Sequence, residues 1–204
     1  MNQTVAVVLA YLLGSIPFAY LAGRAKGVDI RTVGSKNVGA TNVFRTLGKR
    51  IGIAVMLLDI GKGVAATLIA RALTDSPWPL VAGAAAILGH VFPVWLRFKG
   101  GKGVAVGGGA VIGLVPLVSL IVIGTWIVVV ALTRYVSLAS IAAAVAFPVG
   151  ALLLGEHWPT LLFSLFASGA VIVRHRANMG RLMKRTEPKL ELGRRRRGDA
   201  APEA

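Results

Sequence analysis

The sequence predicts an all-α polytopic membrane protein with seven transmembrane helices, its N-terminus outside and its C-terminus in the cytoplasm. Three observations carry that prediction. Hydrophobic residues make up 55% of the 204 residues and charged residues only 15%, where an ordinary soluble domain is about 25% charged. The apolar residues fall in runs near the length of about 20 that a helix needs to cross the hydrocarbon core. The basic residues, 23 Lys and Arg against 8 Asp and Glu, lie almost entirely between those runs. A soluble nucleic-acid binder would share the net charge of +15 but not the apolar content. Intrinsic disorder fails on the same ground. The absence of Cys excludes disulfides, thiolate metal sites and a cysteine nucleophile.

The first apolar run, from about Thr4 to Ala22, lacks a basic n-region and leads directly into polar sequence, so it reads as a membrane segment and not a cleavable signal. The polar stretch Gly23–Arg50 follows. Further apolar runs cover Ile51–Leu73, Pro79–Leu96, Val104–Leu132, Leu138–Leu154 and Thr160–Val173. Val104–Leu132 is long for one span and carries Gly113 and Pro116 near its middle. A single crossing would put the first polar stretch and the chain's basic tail on opposite sides. Two crossings, with a turn near Pro116, put 21 of the 23 basic residues on one side, as the cytoplasmic excess of Lys and Arg requires. The piece Val104–Gly113 is too short to cross fully and is expected to be a partial or tilted helix at the edge of a site. The helical domain is expected to cover residues 1–187. Residues 188–204, with Arg194 to Arg197, form a basic tail expected to be disordered and attracted to anionic lipid, not to nucleic acid.

Three polar clusters then share the cytoplasmic face. The first is Gly34-Ser35-Lys36-Asn37-Val38-Gly39-Ala40-Thr41-Asn42-Val43-Phe44-Arg45. Glycine lets backbone N–H groups approach a ligand. Ser35, Asn37 and Asn42 offer neutral donors, and Arg45 a rigid fork matched to phosphate or carboxylate. The second is Gly89-His90-Val91-Phe92-Pro93, continued by Lys99-Gly100-Gly101-Lys102-Gly103 ahead of an apolar helical start. It reads as an anion cradle of N–H groups, a lysine and a helix N-terminus. It is not a Walker A loop, because Leu96 stands where the first Gly belongs and Gly103 follows the lysine. The third is Arg174-His175-Arg176-Ala177-Asn178-Met179-Gly180-Arg181-Leu182. In a helix, His175 and Asn178 share a face; a snorkelling helix end explains the arginines but not these two. Ser137, at the cytoplasmic entry of its segment, is a further ligand candidate. Asp59 and Lys62, one turn apart inside a span, read first as a structural salt bridge between helices, although intramembrane charges are functional candidates by default.

Metal and hydrolase chemistry find no support in the pattern. His90, His157 and His175 are far apart, and no H-E-x-x-H, G-x-S-x-G or H-x-x-x-x-D motif occurs. No cofactor is expected. A small transporter or channel for phosphate-bearing anions is the competing class, because it too would use intramembrane charges and glycine-broken helices. Against it, the polar motifs gather on one face and no internal repeat is visible.

Three separated motifs in order carry a resemblance over most of the chain. They are Gly-Ser-x-Asn-x-Gly-Ala-Thr-Asn-x-x-Arg at 34–45, Gly-His-x-Phe-Pro through Lys-Gly-Gly-Lys-Gly-Val-Ala at 89–105, and His-x-x-Asn-x-x-Arg-Leu at 175–182. With them the chain resembles the bacterial acyl-phosphate-dependent glycerol-3-phosphate acyltransferase family, PlsY. The resemblance implies a seven-helix protein of the bacterial inner membrane with a cytoplasm-facing site. It implies transfer of an acyl group from acyl phosphate to the 1-hydroxyl of sn-glycerol 3-phosphate, giving lysophosphatidic acid and phosphate. It marks Ser35, Asn37, Arg45, Lys102, His175 and Asn178 as site residues, gives the glycine loop to glycerol 3-phosphate, and matches Glu187 to a structural acidic residue. Val106 and Ala139 depart from the expected Thr and Gly. An acyl phosphate is already activated, so neither a covalent nucleophile nor a metal is needed. His175 or His90, or a substrate phosphate oxygen, is the candidate proton acceptor. Oligomeric state is not legible.

Overall fold

The computed structural model describes residues 2–191, and every regular element among them is helical. The helices are α1 (Asn2–Ser15), α2 (Phe18–Arg24), α3 (Ala40–Thr46), α4 (Lys49–Leu73), α5 (Trp78–Val91), α6 (Val104–Leu114), α7 (Pro116–Thr133), α8 (Val136–Leu153), α9 (Trp158–Arg174) and α10 (Arg176–Met183), with a 3₁₀ turn at Val94–Leu96. Five stretches are long and apolar enough to cross a membrane: Asn2–Arg24, Lys49–Leu73, Trp78–Leu96, Pro116–Thr133 and Val136–Leu153. Helices α6 and α9 are apolar but shorter. The 11 residues of α6 rise about 16 Å, roughly half the hydrocarbon core.

Two proline breaks shape the bundle. Pro17 lacks an N–H, and the first apolar run splits between α1 and α2 instead of forming one rod. Pro116 opens α7 and separates it from α6 at Val115. Each break frees carbonyls that lipid cannot satisfy. Lys62 donates to the Ile16 carbonyl at 2.8 Å, and Arg71 donates to the Gly113 carbonyl at 2.9 Å. These are the two basic residues that lie outside the polar stretches. Their placement inside a span follows from backbone groups that need a donor.

Packing between helices depends on small residues, as expected where lipid supplies no hydrophobic drive for association. Ala6, Ala10 and Gly14 of α1 face Ala82 and Ala86 of α5 in the main core. A Cβ at Gly14 would collide with the Ala86 backbone, and one at Gly63 of α4 with the Val106 carbonyl of α6. The outer faces keep large apolar side chains exposed, among them Leu57, Leu120, Ile127 and Leu152. A second small core of Ala19, Ile30, Val38, Val43, Val55 and Leu96 lies beneath the first polar stretch.

The segment after α10 folds back onto the helices. The Leu190 N–H donates to the Arg134 carbonyl at 2.7 Å, the Pro188 carbonyl accepts from Arg45 at 3.0 Å, and the Lys189 ammonium sits 5.3 Å from the Tyr135 ring centroid. Pro188 to Leu190 are thus held, where the sequence suggested that the tail begins. The remaining tail, with Arg194 to Arg197, lies outside the described residues.

Candidate active site

The first polar stretch is built around Asn42. Its Oδ1 accepts the Ser35 N–H at 2.9 Å, and its Nδ2 donates to the carbonyls of Ile30, Asn37 and Val33 at 3.1, 3.1 and 3.2 Å. Asn42 was a candidate ligand from sequence. Its side chain is 1% exposed and its polar atoms are committed to folding the loop, so it acts on the site through Ser35 and Asn37. Those two lie on the rim of the groove described below. Gly34, at φ +57°, is needed here, because a Cβ would meet Asn42 Oδ1. One turn along α3, Arg45 points over the same rim. One of its terminal nitrogens holds the Pro188 carbonyl, while Nε is buried without a partner among the described residues.

The glycine loop has a different geometry from a simple N–H cradle. The Gly100 N–H donates to the Val91 carbonyl and the Gly101 N–H to the His90 carbonyl, both at 3.1 Å. Arg174, at the end of α9, donates to the Gly101 and Gly100 carbonyls at 3.2 and 3.3 Å. The loop is therefore clamped on both sides. The donors left for an anion are the Lys102 ammonium and the first-turn N–H groups of α6, where the helix dipole adds positive potential. Gly103, at φ +80°, makes the turn into α6.

Lys102 heads a chain of polar groups. Its ammonium donates to Asn178 Oδ1. Asn178 Nδ2 donates to Glu187 Oε1 at 2.6 Å, and Arg181 Nε donates to Glu187 Oε2 at 2.7 Å. A carboxylate only accepts, so Glu187 fixes which way the Asn178 amide faces and turns its oxygen to Lys102. Burial pushes the Lys102 ammonium down to about 8; the Glu187 charge opposes this, while Arg181, Arg174 and Arg45 add to it. Burial acts to raise Glu187, but the Ser137 hydroxyl beside it, then the bonds from Asn178 and Arg181, hold it below its ordinary value. Ser137 Oγ is buried next to the Glu187 carboxylate without reaching full hydrogen-bond geometry to any partner among the described residues.

His175 caps the junction of α9 and α10 and is 3% exposed. Its Nδ1 lies 2.8 Å from the Val171 carbonyl. A carbonyl can only accept, so Nδ1 carries the proton and Nε2 keeps a lone pair. Burial, then the Lys102 charge, pushes this imidazole down to about 4, leaving it neutral at physiological pH. His90 sits on the other side of the glycine loop, with Nδ1 3.1 Å from the Lys62 ammonium. Asp59 and Lys62 form an ion pair at 2.8 Å within α4, so the expected bridge between helices is instead an i,i+3 pair of one helix that reaches α5 through His90.

These groups rim one open groove of about 1230 Å³. Ser35, Asn37, Arg45, Lys102, His175 and Asn178 stand at its polar mouth, with His90 and Ser137 on its walls. Beyond them the lining becomes apolar, through Ile112, Val122, Ala143, Phe147 and Ala167. From Ser137 to Phe147 the groove follows about 15 Å of α8, about half the thickness of the hydrocarbon core. The sequence did not single out Arg174 as a site residue, because an arginine ending an apolar run reads as snorkelling. Only its contact with the distant glycine loop reveals the clamp.

Fold and groove together define an all-helical membrane protein with a cationic mouth opening into an apolar trough. The chain belongs to the glycerol-3-phosphate acyltransferase family, whose model matches residues 4–185. Glycerol-3-phosphate acyltransferases of Rubrobacter xylanophilus and Desulforamulus reducens are 47% and 45% identical over 190 residues each, covering 93% and 92% of this chain and 96% and 95% of theirs. A crystal structure of PlsY, an integral membrane glycerol 3-phosphate acyltransferase in its glycerol 3-phosphate form, superposes with a TM-score of 0.90 at 41% identity. It covers 94% of this chain and 96% of that one. The lysophosphatidic acid form gives 0.87 at 40%. Family membership favours an acyltransferase over the transporter alternative.

Proposed function

We propose that the chain transfers an acyl group from acyl phosphate to the 1-hydroxyl of sn-glycerol 3-phosphate, at the cytoplasmic face of the bacterial inner membrane. The observation that carries this reading is the continuity of the groove: cations and amides at the mouth, apolar helix faces beyond. Both substrates carry phosphate, and one carries an alkyl chain. Arg45, Lys102 and the α6 N-terminus supply donors for phosphate, and the trough accepts the chain.

The hydroxyl oxygen attacks the acyl carbonyl carbon, a new C–O bond forms, and the bond from that carbon to the phosphate oxygen breaks. Phosphate leaves with its electron pair among the cations, which take up the developing charge. His175 Nε2 can accept a hydrogen bond from the attacking hydroxyl. Its weak basicity, near 4, favours a substrate phosphate oxygen, with a second pKa near 6, as the final proton acceptor. Ser35, Asn37, Asn178 and Ser137 orient the substrates, with the Ser35 hydroxyl donating a hydrogen bond and not becoming acylated.

Supplying acyl phosphate, acyl-CoA or acyl carrier protein at matched concentration with glycerol 3-phosphate tests the donor. Lysophosphatidic acid is expected from acyl phosphate alone; efficient use of acyl-CoA without acyl phosphate overturns the reading. The proposed topology has seven membrane segments, with the start of α1 outside and Lys36, Lys102 and Arg174 in the cytoplasm. The lack of Cys makes single-cysteine labelling clean. Labelling at positions 36 and 189 from opposite sides refutes it.

A further inference from the structure

The polar cluster behind the glycine loop is not used by the chemistry above. The Lys62 ammonium donates to the Ile16 carbonyl at 2.8 Å and lies 3.1 Å from His90 Nδ1, and it pairs by charge with Asp59 Oδ1 at 2.8 Å, an oxygen without a hydrogen bond of its own among the described residues. An ammonium cannot accept a hydrogen bond, so His90 Nδ1 must present its lone pair. A proton on Nδ1 would face the ammonium, and the nearest carboxylate oxygen, on Asp59, is 3.7 Å away, too far for a hydrogen bond. The other nitrogen, Nε2, then carries the proton. It has no hydrogen-bond partner among the described residues, and it is not sealed in. His90 lines the groove, and Nε2 lies against Gly101, where any Cβ would collide with it. Only glycine at 101 leaves room for this nitrogen. The charged groups that face the imidazole are Asp59 and Lys62 on α4 and, across the glycine loop, Arg174 at the end of α9.

We propose that the buried Asp59–Lys62 pair locks His90 as its neutral Nε2–H tautomer, making His90 a fixed hydrogen-bond donor to a phosphoryl oxygen held at the glycine loop. This rests on the reading of the groove as a phosphate-binding site and deepens it. His90 is then a binding residue and not a base, with a tautomer opposite to that of His175. The phosphoryl oxygen belongs either to glycerol 3-phosphate or to the acyl phosphate, and kinetics separates the two.

The chain has three histidines, so selective ¹⁵N-histidine labelling in detergent gives a readable spectrum, and His90→Gln assigns one set of signals. The expected result is a protonated Nε2 and unprotonated Nδ1 for His90, the reverse for His175, and a shift of the His90 Nε2–H signal when inorganic phosphate or glycerol 3-phosphate is added. An Nδ1–H tautomer, an imidazolium at pH 7, or no shift at saturating glycerol 3-phosphate and inorganic phosphate overturns the proposal. The kinetic arm compares two amides. The amide nitrogen of Gln reaches the Nε2 position and that of Asn the Nδ1 position. His90→Gln is expected to keep KM within about threefold, while His90→Asn raises it roughly 10-fold or more. A rise for glycerol 3-phosphate or for acyl phosphate identifies which phosphate is held. Equal behaviour of folded Gln and Asn variants overturns the donor role, and if the Asn variant does not fold, the wild-type spectrum decides. Failure of the acyl phosphate assay leaves the spectral test intact, so the two readings fail separately.

Discussion

Two polar networks grip the glycine loop, and the lysines at their centres differ in saturation. Beneath it, the Lys62 ammonium is occupied on every side: it donates to the Ile16 carbonyl at the Pro17 break, meets His90 Nδ1, and pairs by charge with Asp59, although Asp59 Oδ1 makes no hydrogen bond of its own and His90 Nε2 stays open among the described residues. Above it, Lys102, Asn178, Glu187 and Arg181 form an open set beside His175. Lys102 makes one hydrogen bond among the described residues and has three donors, and Arg45 Nε has no partner there. Unused hydrogen-bonding capacity is what a binding site needs and what a membrane interior penalises. The difference separates a lysine that holds the backbone and sets the face of His90 from one available to substrate, and it predicts opposite effects of mutating the two.

The largest expected effect falls on stability. Lys62→Met leaves the Asp59 carboxylate buried and unpaired and the Ile16 carbonyl with only the Phe18 N–H, at 3.2 Å. Breaking one partner of a buried pair costs about 3–5 kcal/mol. The expected outcome is a marked fall in the denaturation midpoint in detergent. Removing both charges, as Asp59→Leu with Lys62→Met, should recover most of that loss. If the single variant is as stable as the parent, the lower network is not structural.

The upper network should behave in the reverse way. Lys102→Ala and Arg45→Ala are expected to lower glycerol 3-phosphate use by roughly 10- to 100-fold each, the scale of a charge-assisted bond, with little change in stability. Removing one cation from the cluster of Lys102, Arg45, Arg174 and Arg181 also relieves repulsion within the fold. Arg185→Ala, at an exposed position, is the control and should leave kcat/KM nearly unchanged. Equal losses at all three would reduce the site to a general surface charge.

Legibility in the sequence follows the same division. The glycines, Ser35, Arg45, Lys102, His175 and Asn178 stood out because polar residues at the edge of apolar runs lack an explanation from lipid. The split of Val104–Leu132 at Pro116 was legible from charge asymmetry and a residue without an N–H. The break at Pro17 was not, because the apolar run continues through it. Asn42 looked like a ligand because an asparagine in a glycine-rich loop has the same signature whether it bonds substrate or backbone; only its four contacts tell the two apart. Arg174 acts through the glycine loop more than 70 residues away in sequence, and nothing local announces such a pair.

His175 offers a smaller test. With Nδ1–H held by the Val171 carbonyl and the imidazole near 4, it does not change charge between pH 5 and 8. His175→Gln should slow turnover but leave the acidic limb of kcat/KM in place, since that limb belongs to substrate phosphate ionising near 6. A limb that disappears with the substitution makes His175 the titrating base.

The smallest effect is the alkaline dependence, and its sign separates binding from folding. Lys102 is held near 8, below the usual lysine range, mainly by burial. Below pH 8 it is charged and available to phosphate under the proposed function; as pH rises through about 8 it loses its proton in the folded protein. Affinity for glycerol 3-phosphate should fall, so kcat/KM declines a few-fold between about pH 7.5 and 9, within the range that one charge-assisted bond supplies. Bound phosphate raises the lysine's proton affinity, so kcat at saturation should show this limb at higher pH. Stability from the same group moves the other way. Between about 8 and 10.5 the unfolded chain binds more protons at this residue than the folded one, and the contribution to stability therefore rises with pH. Lys102→Arg keeps the charge throughout and should remove the alkaline limb of kcat/KM. If the limb survives in that variant, another group titrates, and the open network is not the one that senses pH.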